Sequence, residues 1–237
     1  PLAALMTAAE PGFAALLRDI DRFEAALQVI GEEPPPAPRW TQDWFPTLDA
    51  AAAYAMVRTG APKRIIEVGS GHSTRFMKRA VDDGGLVTHI TAIDPVPNRF
   101  VDRLDIEFLK GTLGTVGLDI FADLAAGDIL FMDSSHILMP GSDVDDLFNR
   151  VMPTLPAGTL VHIHDIFLPD DYPTHWGWRG YNEQLAVAPL LAGSAYEILF
   201  ASHYVASRMA AQVAASAVAR LPSKPESLPA SLWLRKC

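Results

Sequence analysis

The chain has 237 residues, of which 49% are apolar and 20% charged, and its 28 acidic and 19 basic side chains give a formal net charge of -9. This composition is that of a globular protein with one large hydrophobic core, and it excludes global disorder, collagen-like repeats and coiled coils. The acidic balance disfavours nucleic acid as a partner, because phosphates need a basic surface. The single cysteine, Cys237, cannot form an internal disulfide.

The opening segment, residues 1–17, is apolar but has no basic leader and is interrupted by Glu10 and Pro11. It predicts a packing helix rather than a secretory signal. No stretch reaches the roughly 18–20 apolar residues that a membrane-spanning helix needs. We therefore expect a cytoplasmic protein without a membrane partner, and the sequence leaves open whether it forms a homo-oligomer.

The first predicted element is a helix over residues 5–30, where apolar side chains recur three and four positions apart. The proline-rich run at residues 32–38 breaks this helix and is the clearest boundary in the chain. We therefore divide the chain into a helical extension with a proline-rich linker, residues 1–44, and a main domain, residues 45–237. A further helix is expected at residues 49–58.

From residue 64 onwards, short β-rich runs alternate with helical stretches. Strands are predicted at residues 65–68, 87–93, 106–109, 129–132 and 159–163, and helices at residues 73–81, 115–124 and 144–151. After residue 181 we expect another helix, an extended segment at 196–205, an alanine-rich helix at 206–219 and a strand at 231–234. Such alternation is typical of a parallel sheet with helices on both faces, so the predicted fold class is α/β, doubly wound.

In an open sheet of this kind, ligands bind beyond the carboxyl ends of the strands. The first predicted strand is followed by Gly69, Ser70 and Gly71, and two glycines one residue apart permit a tight turn and a close approach of a ligand to the main chain. The second strand is followed by Asp94, which can accept hydrogen bonds from ribose hydroxyls. Together these residues predict a nucleoside-bearing ligand across the first two strands, and the alternative is a plain structural turn.

Two departures from the dinucleotide fingerprint favour S-adenosylmethionine over a nicotinamide cofactor. Thr74 occupies the position of the third glycine of that fingerprint. Glu67 lies two residues before the first glycine, where a carboxylate can hold the loop and receive an amino-bearing ligand. An NAD(P)-dependent oxidoreductase and a cofactor-binding protein without catalysis remain the alternatives.

Six segments carry a more specific pattern: residues 65–74, 128–136, 162–167, 171–173, 181–184 and 231–234. They resemble class I S-adenosylmethionine-dependent methyltransferases, and within these the methyltransferase-24 branch near the macrocin O-methyltransferase type. The resemblance covers roughly residues 45–236. It implies a Rossmann-like sheet of seven strands, mostly parallel, with an antiparallel last strand. It also implies methyl transfer to a small-molecule acceptor, with oxygen as the expected acceptor atom.

The resemblance further implies which residues bind the cofactor. The loop after the first strand would hold it, an acid after the second would take the ribose, and the adenine would lie after the third strand. The residues so assigned are Glu67, Gly69, Ser70, Gly71, Asp94, Gly111, Thr112, Asp133 and Ser134. No acidic or amide side chain near residues 110–112 is available for the adenine amine.

His136 is the first candidate for a general base, because an imidazole pKa near 6.5 suits proton removal around neutral pH. His164 is the second candidate. Asp133 ends the fourth predicted strand, and His164 and Asp165 end the fifth, so these three side chains lie at one rim, where metal-dependent O-methyltransferases hold a divalent ion. In the alternative interpretation Asp133 contacts only the cofactor and the histidines are structural.

The connection at residues 169–181 is rich in aromatic residues, prolines and glycines. Beside the active rim, a loop of this kind is expected to act as a lid or as a wall for a flat acceptor. The alternative is that its tryptophans only fix the loop or form an oligomer contact.

Overall fold

The computed structural model describes residues 1–96 and 100–237 and has one seven-stranded sheet at its centre. The strands are β1 (Arg64–Val68), β2 (His89–Asp94), β3 (Glu107–Lys110), β4 (Ile129–Met132), β5 (Leu160–Ile163), β6 (Tyr196–Ala201) and β7 (Leu232–Lys236). They lie in the order β3-β2-β1-β4-β5-β7-β6. Strands β1 to β5 are parallel, and β7 pairs antiparallel with both β5 and β6. The predicted α/β class and the antiparallel last strand are confirmed.

The helices are α1 (Leu2–Arg22), α2 (Glu24–Gln28), α3 (Thr47–Gly60), α4 (His72–Gly84), α5 (Leu113–Val116), α6 (Asp143–Asp146), α7 (Gln184–Ala192), α8 (Ser202–Arg208) and α9 (Ala210–Ala215). Strand β4 is buried at every position and β1 at all but its first, as expected for central strands covered on both faces. Within the described residues, no helix has the length and apolar character needed to cross a membrane.

Helix α1 packs on the sheet through one apolar stripe. Phe13 lies at its centre, with its ring 5.8 Å from that of Phe200 on β6 and 5.9 Å from that of Tyr204 on α8. The buried side chains of α1 therefore belong to the same hydrophobic core as the strands. The predicted helix over residues 5–30 is interrupted at Phe23, which separates α1 from α2. The division of the chain at residue 44 stays a prediction.

Three predicted elements differ from the observed ones for local reasons. Helix α5 ends at Gly117, whose φ of +88° leaves the helical region, so the predicted helix 115–124 is a short helix followed by a 3-10 turn at Asp119–Asp123. The predicted extended segment 196–205 ends at Ala201, because Ser202 turns to donate its N–H to the Ser231 carbonyl at 2.9 Å. The alanine-rich stretch that follows forms the end of α8, then α9 and a 3-10 turn rather than one helix.

The loops that follow β1, β2, β3 and β4 lie at one edge of the sheet. The main-chain ladder continues past β1, since the Gly69 N–H donates to the Ile93 carbonyl and the Asp133 N–H donates to the Val68 carbonyl, both at 2.9 Å. The loop after β1 is thus fixed between those of β2 and β4. Because the strand order reverses between β1 and β4, this is the switch point at which open α/β sheets bind ligands.

Candidate active site

The loop after β1 requires glycine at its first position. Gly69 has a φ of +84°, and a Cβ atom built there would lie 1.8 Å from the carbonyl oxygen of Asp133. Gly71 precedes α4 and donates its N–H to Thr74 Oγ1 at 2.9 Å. Thr74, the residue that departs from the dinucleotide fingerprint, therefore closes the loop onto the start of the helix.

Glu67 holds this loop from behind. It is fully buried, and its two carboxylate oxygens accept hydrogen bonds from Ser73 Oγ and Thr74 Oγ1, each at 2.5 Å. Burial raises the pKa of Glu67 to about 8, against hydrogen bonds that lower it. The expectation that Glu67 holds the loop agrees with this position. The expectation that Glu67 receives an amino group of the ligand does not agree with it, because Glu67 does not line the neighbouring cleft.

A cleft of 520 Å³ opens at the carboxyl ends of β1 to β4, a size typical of cofactor sites. Six predicted cofactor residues line it: Gly69, Asp94, Gly111, Thr112, Asp133 and Ser134. Asp94 is fixed in place because its Oδ2 accepts the N–H and the Oγ–H of Ser70, at 2.9 and 2.8 Å. Ser70 and Gly71 line an adjoining pocket of 110 Å³, to which Asp133 also contributes.

The cleft is strongly acidic. Asp94, Asp133, Asp143 and Asp146 all line it, and its described lining residues include neither lysine nor arginine. Such a lining attracts a positively charged ligand and repels a pyrophosphate. Asp143 and Asp146 lie on α6, and the sequence contained no signal that this helix faces the cleft.

Two further features concern the residues that were predicted to bind the cofactor. The Ser134 hydroxyl is buried at the cleft and, within the described structure, has no hydrogen-bond partner, so it is available to a ligand. At Gly111 a Cβ atom would lie 2.5 Å from Thr115 Oγ1, so the main chain lies close against α5 where the adenine was expected.

Beside the cleft lies a group of five side chains that we call the histidine–carboxylate cluster: Asp133, His136, His164, Asp165 and Glu183. His136 Nδ1 lies 2.9 Å from Glu183 Oε2, and its Nε2 lies 3.2 Å from Asp133 Oδ1 and 3.5 Å from Asp165 Oδ2. His164 Nδ1 lies 3.5 Å from Asp133 Oδ1 and 3.4 Å from Asp165 Oδ1. The structure thus brings together all the predicted catalytic and metal-binding residues.

The charges of the cluster stabilise one another. Burial lowers the pKa of His136, but the hydrogen bonds with Asp133 and Glu183 outweigh it and raise this pKa well above its ordinary value. Burial also acts against the charged form of His164, yet the charge of Asp133 raises its pKa in the same way. Although burial opposes ionisation of Asp133, the charge of His164 and the hydrogen bond with His136 hold its pKa well below the usual range. The two histidines and the carboxyl groups around them thus favour each other's charged forms at Asp133.

The cluster does not fit a metal ion in this arrangement. In the described part of the chain, no three or more His, Cys, Asp or Glu side chains have the geometry to hold one. A ligating imidazole must be neutral with a free lone pair, whereas Nδ1 of His164 lies among the oxygens of Asp133 and Asp165. These contacts are those of ion pairs.

The sequence interpretation missed two residues that support the cluster. Glu183 is buried behind His136 and was noted only as part of a motif. Asp49 on α3 is fully buried, lies 3.4 Å from His164 Nε2 and accepts the N–H of Ala230 at 3.0 Å. An acidic residue within the apolar, alanine-rich helix 47–60 was the available signal, because a buried carboxylate needs partners.

The backbone is strained at the two points where the cluster joins the strands. His136 and Asp165 have φ angles of 58° and 57°, in the left-handed region that side chains other than glycine rarely adopt. Such conformations persist where the surrounding structure enforces them, and they concentrate at functional sites.

The cleft lies at the switch point of a Rossmann-like sheet, where enzymes of this fold bind nucleoside-bearing cofactors. Residues 66–166 match the profile of methyltransferase family 24, described as a methyltransferase domain. This segment contains β1 to β5 and, apart from Glu183, the whole histidine–carboxylate cluster. The matched residues thus form a methyltransferase domain. No curated protein sequence matches it significantly.

Two solved structures with a TM-score of 0.50 share the fold at low sequence identity, and a third structure is similar at a slightly lower score. A Podospora anserina methyltransferase, solved with S-adenosylhomocysteine, is 15% identical with a TM-score of 0.50, over 94% of this chain and 88% of that one. The branched-chain polyamine synthase of Thermus thermophilus is 16% identical with a TM-score of 0.50, over 93% of this chain and 64% of that one. An O-methyltransferase of tomaymycin synthesis from Streptomyces achromogenes is 14% identical with a TM-score of 0.49, over 93% and 89%.

Proposed function

We propose that this enzyme transfers a methyl group from S-adenosylmethionine to an oxygen atom of a small molecule. The observation that carries the proposal is the acidic cleft, with four carboxylates and no described lysine or arginine in its lining. S-adenosylmethionine bears a sulfonium and an ammonium, which this lining favours. A nicotinamide dinucleotide would place its pyrophosphate against the same carboxylates, which argues against an oxidoreductase. The Podospora anserina enzyme of the same fold was solved with the demethylated cofactor, in keeping with the proposal.

The residues for the cofactor follow from the cleft. Asp94 offers a fixed carboxylate to the ribose, Gly69 permits close approach of the ligand to the main chain, and Ser134 offers a free hydroxyl. When bound, S-adenosylmethionine supplies a methyl group that its sulfonium has already activated. The protein then contributes alignment, exclusion of water and acceptance of one proton.

We assign the proton-accepting role to Asp133. Its side chain is 30% exposed, and it lines both the cleft and the adjoining pocket. Since its pKa is low, it is a carboxylate at neutral pH. A hydroxyl becomes strongly acidic as its oxygen forms a bond to carbon, so even a weakly basic carboxylate can take its proton. A methylated amine holds its proton far more tightly, and this difference favours oxygen over nitrogen as the acceptor atom.

The predicted bases His136 and His164 act on Asp133 in this proposal. His136 is 4% exposed, and both of its ring nitrogens face carboxylates, so it has no free nitrogen to accept a proton. His164 is equally buried between Asp133 and Asp49. Both histidines therefore position Asp133 and keep it ionised. No step is assigned to a metal ion, and the macrocin type of acceptor and the cytoplasmic location stay predictions.

The test is turnover of S-adenosylmethionine with a panel of alcohols, phenols and amines, with products identified by mass spectrometry and NMR. We expect methyl ethers as products. Asp133→Asn should lower kcat about a hundredfold or more. Because it also removes one of the four carboxylates of the cleft, kcat is compared at saturating S-adenosylmethionine. Asp123→Asn, on the exposed turn after α5, serves as the control. The metal-stripped enzyme should keep its rate, and magnesium, manganese or zinc should not raise it. Methylation of amines alone, or a rate that requires one of these ions, would contradict the proposal.

A further inference from the structure

A second cavity, of 260 Å³, lies on the other side of the histidine–carboxylate cluster, and we call it the acceptor chamber. His164 and Asp165 belong to its polar lining, which also includes Asp43, His175, Lys224, Glu226 and Ser227. Its apolar surface comes mainly from Trp44, Pro46, Trp176 and Leu228, which belong to three separate segments of the chain. The function proposed above assigned no role to this cavity.

The chamber and the cofactor cleft each share a lining residue with the small pocket between them. Asp133 lines both the cleft and the 110 Å³ pocket beside it, and Trp44 lines both that pocket and the chamber. His164, a lining residue of the chamber, lies 3.5 Å from Asp133 Oδ1. A molecule in the chamber therefore lies against His164, and this side chain contacts the carboxylate that lines the cleft.

The two tryptophans differ in how they are held. The Trp176 ring packs edge-on against Phe167 at 5.1 Å and Tyr181 at 6.0 Å, and the Arg179 guanidinium lies 4.2 Å from its centre. Trp176 is thus a fixed wall. Trp44 is 61% exposed and lies at the mouth of the chamber. Aromatic faces of this kind bind flat rings better than saturated ones of the same size.

The charges of the chamber disfavour an anionic acceptor. Its lysine, Lys224, forms an ion pair with Asp43, so among the described lining residues no ammonium group is left for a substrate carboxylate. Asp165 and Glu226 add negative charge, and the His164 imidazole that lines the same cavity is already paired with Asp49, Asp133 and Asp165. The volume of 260 Å³ is below the roughly 300–1,000 Å³ of sites for drug-sized ligands, which limits the enclosed part to about one ring.

We propose that the chamber is the acceptor site and that it takes a neutral phenol, whose ring contacts Trp44 and Trp176 and whose hydroxyl reaches Asp165 and Asp133. This inference rests on the function proposed above and narrows its acceptor to one chemical class. In the reaction, the phenol oxygen forms a bond to the methyl carbon, the electron pair of the broken carbon–sulfur bond stays on sulfur, and the phenol proton passes to Asp133. The products are a methyl aryl ether and S-adenosylhomocysteine.

The test compares two probes of the same shape, 4-methylphenol and trans-4-methylcyclohexanol, on protein saturated with S-adenosylhomocysteine. Binding is measured by saturation-transfer NMR and calorimetry. We expect the phenol to bind more tightly than the saturated alcohol. Trp44→Leu and Trp176→Leu should each weaken phenol binding about five- to tenfold. Trp178→Leu, in the same loop but 81% exposed and outside the chamber lining, should leave it unchanged.

Two controls make every outcome informative. Trp176 also supports its loop. If the variant Trp176→Leu does not fold for that reason, the phenol affinity of Trp44→Leu, at the exposed mouth, tests the proposal alone. Equal binding of both probes, no binding of either, or equal losses in Trp44→Leu and Trp178→Leu would overturn the phenol assignment. The affinity for S-adenosylhomocysteine is measured first and alone. Its absence would overturn the proposed function, whereas normal cofactor binding without phenol selectivity would overturn only this inference.

Discussion

The buried Glu67 predicts an unusual dependence of stability on pH. Its pKa is about 8 in the folded chain, against 4.5 for the free side chain. The folded protein therefore keeps a proton that the unfolded chain releases above pH 4.5. The contribution of Glu67 to the free energy of unfolding is thus fully present below pH 4.5 and is lost as the pH rises to about 8. At about 1.4 kcal/mol per pH unit, the loss over this range is about 5 kcal/mol.

The replacement Glu67→Gln tests this reasoning, because glutamine copies the neutral carboxyl and does not titrate. We expect the variant to gain stability relative to the wild type as the pH rises through this range, by about 5 kcal/mol in total, measured by reversible denaturant unfolding at each pH. Glu24→Gln is the matched control. The hydrogen bond from Arg220 lowers the pKa of Glu24, so this control should show a constant difference above pH 4.5. Parallel curves for Glu67→Gln and the wild type would refute the assignment of a neutral, buried Glu67.

Two other replacements probe the loop and the cluster. Gly69→Ala should abolish S-adenosylhomocysteine binding, because the added Cβ would meet the Asp133 carbonyl. The control is Gly127→Ala, where φ is also positive but the space is open, and this variant should lose only about 1–2 kcal/mol of stability and bind normally. Equal effects of the two variants in calorimetry and denaturant unfolding would count against the steric argument. His136→Leu should cost about 3–5 kcal/mol, because Glu183 is left buried without its partner, and adding Glu183→Leu should recover part of it. An undiminished loss in the double variant would show that the pair is not the cause.

The sheet was predictable because short apolar runs alternate with helical stretches along the sequence. Few folds other than a parallel sheet covered by helices are compatible with this pattern. The loop of Gly69 and Gly71 and the acid at Asp94 were predictable for the same local reason, since each follows a strand directly. Helix limits such as that at Gly117 were less predictable, because glycine is tolerated within helices unless the fold requires a positive φ.

The parts of the site that the sequence could not predict depend on distant segments. Glu183 meets His136 across 47 positions of the chain, and Asp49 meets His164 from the opposite end of the fold. The base that we propose also depends on burial, because His136 is enclosed and both of its ring nitrogens face carboxylates. Asp133 was expected at the cleft, but the sequence could not predict that neither histidine lines it.

The central claim is that the acidic cleft binds S-adenosylmethionine, and the most direct test is isothermal titration of S-adenosylhomocysteine and of NAD into the metal-stripped protein. We predict binding of S-adenosylhomocysteine near the micromolar range, about −8 kcal/mol, strongly weakened by Asp94→Ala, and no heat with NAD. Binding of NAD, together with no binding of S-adenosylhomocysteine, would contradict the assignment of the cleft and of the enzyme built around it.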